Sequence, residues 1–403
     1  MTTRRAQSRQ WPLRSASLAF GLCALAPASS RADGSAAASG RILGEAKQVL
    51  LSEFYDDKLD GARLDRAALR GILNDLNGGN PEGPNALLDP NAGADLKRDL
   101  QGDLVGIGTM IDYDEPSGMT RVEGLLPGSA AAAAGIERGD RILSVNGVGF
   151  RGKPLREIVT AIRGPEGTSV KLSLLRGSTS LEKFVVRKRL SLPSVEQELA
   201  GDIGVIAIRM FGEHTPGELE AALKTLDKAG VSRLLVDLRG NGGGLFDKLI
   251  ATAGLVLPKG AEVARAIGRG GKVVRHTTKR DPMLKPLPMV VLIDKQTASS
   301  AEILAEALRV DAGATLVGAR TFGKWRMEAL RPLSDGFTLK YTIALVQSPA
   351  GKSYDGVGVP PDVEVAAGAE PLEHTRRLTE LGKRADEDPQ LRAALHILRR
   401  LRN

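Results

Sequence analysis

The chain has 403 residues, and with 42% hydrophobic but only 3% aromatic residues its cores must be Leu, Val, Ile and Ala packed around glycine-rich turns. Its formal charge of +8 includes five arginines in residues 1–32 (Arg4, Arg5, Arg9, Arg14, Arg31) with no acid, so the remainder carries +8 − 5 = +3, too weak a basic footprint for a nucleic-acid binder. No run reaches the roughly 18 apolar residues of a membrane span. The single Cys23 excludes disulfides within the chain, and none of His214, His276, His374 and His396 pairs with another at metal-ligand spacing, so no zinc site or other metal or cofactor is expected.

In chain order, the basic start is followed by the apolar run SLAFGLCALA (17–26) and by small residues ending at Ala32. That is the layout of a secretory signal peptide, and it predicts an exported, periplasmic protein with at most peripheral contact to the inner membrane. Residues 41–76 repeat apolar positions at three and four and predict two or three helices, followed by a GGNPEGPN loop (78–85). Residues 102–189 read as strands (GIGTMIDYD, TRVEGLL, a GDRILSVNGVGF hairpin, TSVKLSLLRG, LEKFVVRKR) with a short Ala-rich helix and a helix over LREIVTAIRG. Pro127–Gly128–Ser129, the Ala run, Gly135, Gly139–Leu143 and Asn146–Gly147 resemble a PDZ domain. The resemblance implies a groove that takes a peptide, usually its C-terminus, as an added strand. The peptide carboxylate would meet backbone amides near Gly106, Ile107 and Gly108.

After Pro193, GVIAIRMF, RLLVDL, PMVVLID and ATLVG read as buried strands, with ELEAALKTLDKAG and SSAEILAEALRV as helices between them, an α/β pattern. DVEV closes this domain. DPQLRAALHILRRL (388–401) is an amphipathic helix whose basic face reads as solvated surface.

Three segments carry chemistry. RLLVDLRGNGGGLFDKLI (233–250) is strand, glycine turn and helix: either a tight structural turn or backbone amides aimed at a developing negative charge. DKQTASSAEILAEAL (294–308) places Ser299 at a helix start, either an ordinary N-cap or a nucleophile among unpaired amides. GARTFGKW (318–325) has the G-x-x-x-x-G-K of a phosphate loop but ends in Trp325 where a magnesium-binding hydroxyl is needed. A buried lysine stripped of hydration can instead serve as the base for a serine.

Taken together, LRGNGGGL, TASSAEI and TFGK, in that order after a PDZ-like unit, resemble the carboxy-terminal processing peptidases (tail-specific serine proteases). LLDP, PLSDGFTLKYT, SPAGKSYDGVGVPPDV and the DPQL tail extend the match over nearly all of residues 41–403. The resemblance implies an α/β (α+β) fold, a crotonase-like spiral protease core with an inserted PDZ domain and N-terminal helices. It divides the chain into a signal peptide (1–32), N-terminal helical segment (33–100), PDZ domain (101–190), protease core (191–368) and helical tail (369–403). It implies Ser299 as nucleophile, Lys324 as general base, Glu328 in the lysine's supporting position, and the amides of Gly243 and Ser300 as oxyanion hole. The expected partners are the C-terminal tails of protein substrates; an activating partner protein and the oligomeric state are left open.

The chain departs from the family's K-G-x-V-Q after the turn: Trp325 replaces the glycine, a bulk expected to crowd the site or shape a pocket, and Glu328 replaces the glutamine. An ionised carboxylate beside Lys324 favours its ammonium form, the wrong direction for a base, whereas a protonated one can donate and accept as glutamine does. A PDZ peptide-binding scaffold without catalysis is the alternative.

Overall fold

The structure, a computed structural model, describes residues 22–25, 36–56, 58–114, 118–126, 128–153, 155–191, 193–367 and 388–401. Most of the proposed signal peptide therefore lies outside the described residues. Within it, the backbone of β1 (Leu22–Leu25) pairs parallel to a later strand, with Leu22 opposite Met327. Helices α1 (Ala36–Glu53) and α2 (Gly61–Leu76) follow, α2 capped by Asp60 accepting from the Arg63 N–H at 2.8 Å. Then come β2 (Ala86–Leu88) and a third helix, α3 (Pro90–Gln101). Asp89 caps α3, Pro90 opens it, and Gly102 ends it at φ 85°, a left-handed C-cap.

Strand β3 (Asp103–Gly106) leads into a sheet ordered β4 (Thr109–Asp114), β5 (Met119–Leu125), β6 (Arg141–Val145), β8 (Ser169–Arg176), β9 (Thr179–Val186), with β7 (Val148–Gly149) paired to β6. Helices α4 (Ala130–Ala133) and α5 (Leu155–Ile162) belong to the same unit. Its own core is aliphatic: Ile107, Val122, Ile136, Ile142, Ile158, Val170 and Leu174 are among its buried members. The strand and helix positions read from the sequence hold here. Strand β10 (Lys188–Ser191) returns to pair with β3.

The next unit is built on a sheet ordered β11 (Val195–Ala200), β12 (Ile203–Ile208), β13 (Arg233–Asp237), β16 (Met289–Ile293), β17 (Thr315–Gly318) and β20 (Val363–Glu364). From β12 onward every pairing is parallel, and helices α6 (Thr215–Lys228), α7 (Phe246–Ala253) and α8 (Ser300–Ala312) lie in the crossovers. Every residue of IGVIAI and MVVLI is buried, because a parallel sheet is covered on both faces. A second sheet takes β14 (Glu262–Gly268), β15 (Val273–Thr277), β18 (Arg326–Pro332) and β19 (Thr338–Gln347), with β1 on the far side of β18 and β2 on β19. This sheet was not predicted as strands, since its segments are half-buried and mix charge with apolar residues.

The tail helix α9 (Pro389–Arg400) buries Leu391, Ala394, Leu395 and Leu398 against Ile203, Leu235, Val290 and Leu292, while Arg392, His396, Arg399 and Arg400 face solvent. Its entry is tied by charge: buried Arg239 bonds Asp388 at 2.8 Å, Gln390 at 3.2 Å, and Asp237 through two 2.9 Å bonds. Burial alone would raise the Asp237 carboxyl, but the guanidinium outweighs it and holds the group at about 2. A carboxyl lowered in the folded state stabilises above its ordinary value of about 4, and that contribution is lost as pH falls through about 2. Thermal melts from pH 5 to 2 are expected to show wild type losing about 2 kcal/mol more over this window than Asp237→Asn.

Candidate active site

Strand β16 ends at Ile293, and the chain turns before α8 around one carboxylate. Asp294 Oδ1 accepts from the N–H groups of Gln296 (3.0 Å) and Thr297 (2.9 Å) and, across the sheet, from that of Gly240 (3.0 Å). Thr297 Oγ1 donates to the Leu238 carbonyl at 3.0 Å. The serine turn and the glycine turn are thereby pinned together.

Ser299 sits at φ 57°, ψ −121°, a backbone region that a non-glycine residue occupies only under constraint. It is fully buried, and its Oγ has no hydrogen-bond partner among the described residues. An ordinary N-cap serine would spend that oxygen on an amide of the first helical turn. Ser299 and Glu302 still face each other as a capping box, but its strong half is the glutamate's: Glu302 Oε2 accepts from the Ser299 N–H at 2.8 Å, while the Oγ makes no bond of full hydrogen-bond geometry.

Glu302 does more than cap. The same oxygen accepts from the Lys324 N–H at 2.8 Å, and Oε1 accepts from the Gly323 N–H at 2.8 Å and from Thr321 Oγ1. Burial pushes this carboxyl up, and the bonds from Thr321, Lys324, Ser299 and Gly323 work against it. One buried carboxylate thus fixes the backbones of Ser299 and Lys324 relative to each other. It also answers the phosphate-loop question, because the Gly323 and Lys324 amides are already given to an internal anion. Gly323 itself (φ 91°) is required by a different approach: a Cβ there would lie 2.7 Å from the Gly358 nitrogen.

The Lys324 side chain is 14% exposed, and its Nζ lies 3.3 Å from Glu328 Oε2. Glu328 is fully buried, and its other oxygen lies 3.6 Å from Lys340 Nζ. Trp325 does not crowd this site. It points the opposite way into the core, fully buried, with its ring 5.1 Å from that of Tyr354. The bulk next to Lys324 therefore packs in the core, away from the Lys324–Glu328 contact.

The glycine turn approaches from β13. Ser300 Oγ donates to the Gly244 carbonyl at 3.2 Å, and Gly244 (φ 146°) lies so close to Phe211 that a Cβ would come within 2.4 Å of its carbonyl oxygen. The Gly243 N–H donates to Asn241 Oδ1 at 2.9 Å. The Ser300 N–H opens α8, where helical amides lack an intrahelical acceptor and the helix dipole favours negative charge. The structure brings the Ser299 and Lys324 backbones to one carboxylate, and Ser300 to the glycine turn that carries Gly243. Of the loop histidines, His214 is exposed and His276 packs edge-on against Phe246 at 4.6 Å.

In the 107–185 unit, Gly106 ends β3, Ile107 is buried, and Gly108 (φ 80°) passes so near Ser129 that a Cβ would lie 2.4 Å from the serine Cβ. The carbonyls of Ile107 and Gly108 accept from the N–H groups of Ala131 and Leu126, both at 2.9 Å. Strand β4, which follows this turn, is an edge strand of its sheet.

Sequence reasoning missed Glu302, Asp294, Asn241 and Lys340. Glu302 had a signal: Ser299-x-x-Glu302 is the spacing of a capping box. Among the described residues no cluster of His, Cys, Asp and Glu is arranged to hold a metal ion, and no helix is long and apolar enough to cross a membrane.

Comparison with known proteins places the family model of peptidase family S41 on residues 202–365 and a PDZ-domain model on residues 121–176. A CtpA-like serine protease of Staphylococcus aureus (strain COL) is 32% identical over 320 residues, covering 79% of this chain and 63% of that protein. Its counterpart in Staphylococcus haemolyticus (strain JCSC1435) is 31% identical over 319 residues with the same coverage. The chain thus spans 63% of the length of these relatives. Among solved structures, a photosystem II D1 C-terminal processing protease superposes with a TM-score of 0.53 at 25% identity, covering 81% of this chain and 93% of that one. An S41 protease from Bacteroides fragilis NCTC 9343 superposes with a TM-score of 0.55 at 17% identity, covering 89% and 97%.

Proposed function

Because the chain belongs to peptidase family S41 and carries a PDZ domain, we propose that it is a serine endopeptidase that cleaves exported proteins near their C-termini through a Ser299–Lys324 dyad. The observation that carries this reading is the shared carboxylate: Glu302 Oε2 holds the N–H of Ser299 and that of Lys324, each at 2.8 Å. It leaves the serine Oγ buried and without a hydrogen-bond partner among the described residues, so in this reading Lys324 Nζ closes on it as the site admits substrate.

In this reading Ser299 Oγ attacks the scissile carbonyl while neutral Lys324 takes its proton. The carbonyl oxygen becomes an oxyanion held by the Ser300 amide and by the Gly243 amide, the latter released from Asn241 as the substrate enters. Lys324 then gives the proton to the leaving amine, and water, deprotonated by the same lysine, releases the acyl group. The edge of β4 receives the substrate's tail as an added strand, with its carboxylate at the amides of Gly106–Gly108. The apolar run and small residues near the start of the chain support export to the periplasm, with contact to the membrane at most peripheral.

The test compares wild type, Ser299→Ala and Glu328→Gln on an unfolded protein with an apolar C-terminal tail. Released peptides are followed by mass spectrometry from about pH 6 to 9. Glu328→Gln removes the carboxylate 3.3 Å from the amine, so the acid limb of its rate profile is expected to move down by about one pH unit. Cleavage surviving in Ser299→Ala would sink the dyad. Silence from all three proteins with the tail still bound would make the chain a peptide-binding scaffold.

A further inference from the structure

Glu328 stands where a family member ordinarily has a neutral glutamine, and a lone buried carboxylate there would hold Lys324 as ammonium. Its second oxygen is not alone. Strands β18 and β19 pair antiparallel with Glu328 opposite Thr342 and Leu330 opposite Lys340, so Lys340 is Glu328's diagonal neighbour. A register shift between Met327 and Glu328 falls at this point of the ladder, the kind of irregularity that re-aims a side chain. The result is one fully buried carboxylate between two amines, with Lys324 Nζ 3.3 Å from Oε2 and Lys340 Nζ 3.6 Å from Oε1.

We propose that Lys340 is the charge-compensating partner of Glu328, a positioning residue that allows Lys324 to lose its proton and act as the base. This rests on the reading of Lys324 as the base. With both amines protonated the trio carries a net positive charge in a buried site; with one amine neutral it carries none, the cheaper state where water is scarce. Lys324 is the amine that yields. Its backbone is tied beside that of Ser299 through Glu302, which makes it the amine of the proposed dyad, whereas Lys340 lies on strand β19. At 3.3 Å a neutral amine still donates a hydrogen bond to Glu328, while at 3.6 Å Lys340 acts through its charge.

The other groups around the trio do not take over this role. Glu302 spends its oxygens on four donors, from Ser299, Thr321, Gly323 and Lys324. Arg326 on β18 is held by Asp355 at 2.7 Å; the residue opposite Glu328 on β19 is the uncharged Thr342, and on the other side of β18 it is Cys23 of β1, which carries no positive charge.

The test uses the full-length chain and reads Lys324 itself. Trace acetylation with acetic anhydride from about pH 6 to 10, mapped by peptide mass spectrometry, gives the titration midpoint of Lys324 without any need for cleavage. Lys340→Met is expected to raise that midpoint by about one unit or more and to slow cleavage near pH 7 roughly tenfold. Lys340→Arg should behave as wild type, and adding Glu328→Gln to Lys340→Met should bring the midpoint back to or below the wild-type value. Lys340→Gln, with the same expectation as Lys340→Met, serves if circular dichroism shows that Lys340→Met does not fold. A midpoint moving by less than about 0.3 unit in the uncharged variants overturns the proposal, as does a Lys340→Arg that matches Lys340→Met. If the midpoint moves as expected in a protein that never cleaves, the charge pairing stands and the peptidase reading falls.

Discussion

Replacing Ser299 with alanine is expected to abolish peptide release, lowering kcat by roughly 10⁴-fold or more, while leaving the fold intact and its melting temperature unchanged or higher. In the proposed mechanism the loss in rate follows from removing the nucleophile, after which only binding and the proposed oxyanion amides remain to assist the reaction. The stability follows from geometry. The Ser299 hydroxyl is buried without a partner, so its removal forfeits no hydrogen bond and relieves a desolvated oxygen, a gain on the order of 1 kcal/mol. Ser299→Gly should gain further, since φ 57° is a conformation glycine adopts without strain. Calorimetry beside the cleavage assay checks both parts. A serine that is merely a helix cap would give the opposite pattern: alanine would cost stability by about 1 kcal/mol and leave activity in place.

The second large effect is expected at Glu302. Glu302→Ala leaves the N–H groups of Ser299, Gly323 and Lys324 and the Thr321 hydroxyl without their acceptor in a site closed to water. At about 1–3 kcal/mol for each buried group left unsatisfied, partly relieved by water entering the cavity, a loss of about 4 kcal/mol is expected. Cleavage should disappear with it, because the Ser299 and Lys324 backbones lose their common tie. Glu302→Gln keeps one acceptor oxygen and should cost about 1–2 kcal/mol, with a clear fall in kcat. Denaturant unfolding of both variants measures the first quantity, and the tail-cleavage assay the second. A Glu302→Ala protein as stable as wild type would show that the carboxylate does not organise the site.

The largest expected effect lies at a residue whose pattern was readable in the chain, and the second at one that was passed over. The strands GVIAIRMF, RLLVDL, PMVVLID and ATLVG declare themselves because parallel strands covered on both faces are apolar throughout. The sheet of β14, β15, β18 and β19 does not, because its strands carry Arg265, His276, Glu328 and Lys340 among apolar residues. Helix α3 was legible in principle, with Asp89 and Pro90 at its start and Gly102 at its end. It is short, and its glycine in the first turn hides the periodicity.

What the sequence by itself determined is local: alternation in the PDZ unit, buried runs in the core, glycines where backbones touch, and a serine before a helix. These are set by nearest neighbours and by the period of each element, so composition and spacing suffice to read them. The tertiary structure alone decided which polar groups meet. Glu302 reaches a turn 19 to 22 residues away, Arg239 meets Asp388 across 149 residues, and Glu328 finds Lys340 through strand register. Trp325 went to the core although its sequence neighbour Lys324 turns to the site. Such meetings follow from how sheets and helices stack, and the free energy of a buried charge depends on every group that stacking brings to it.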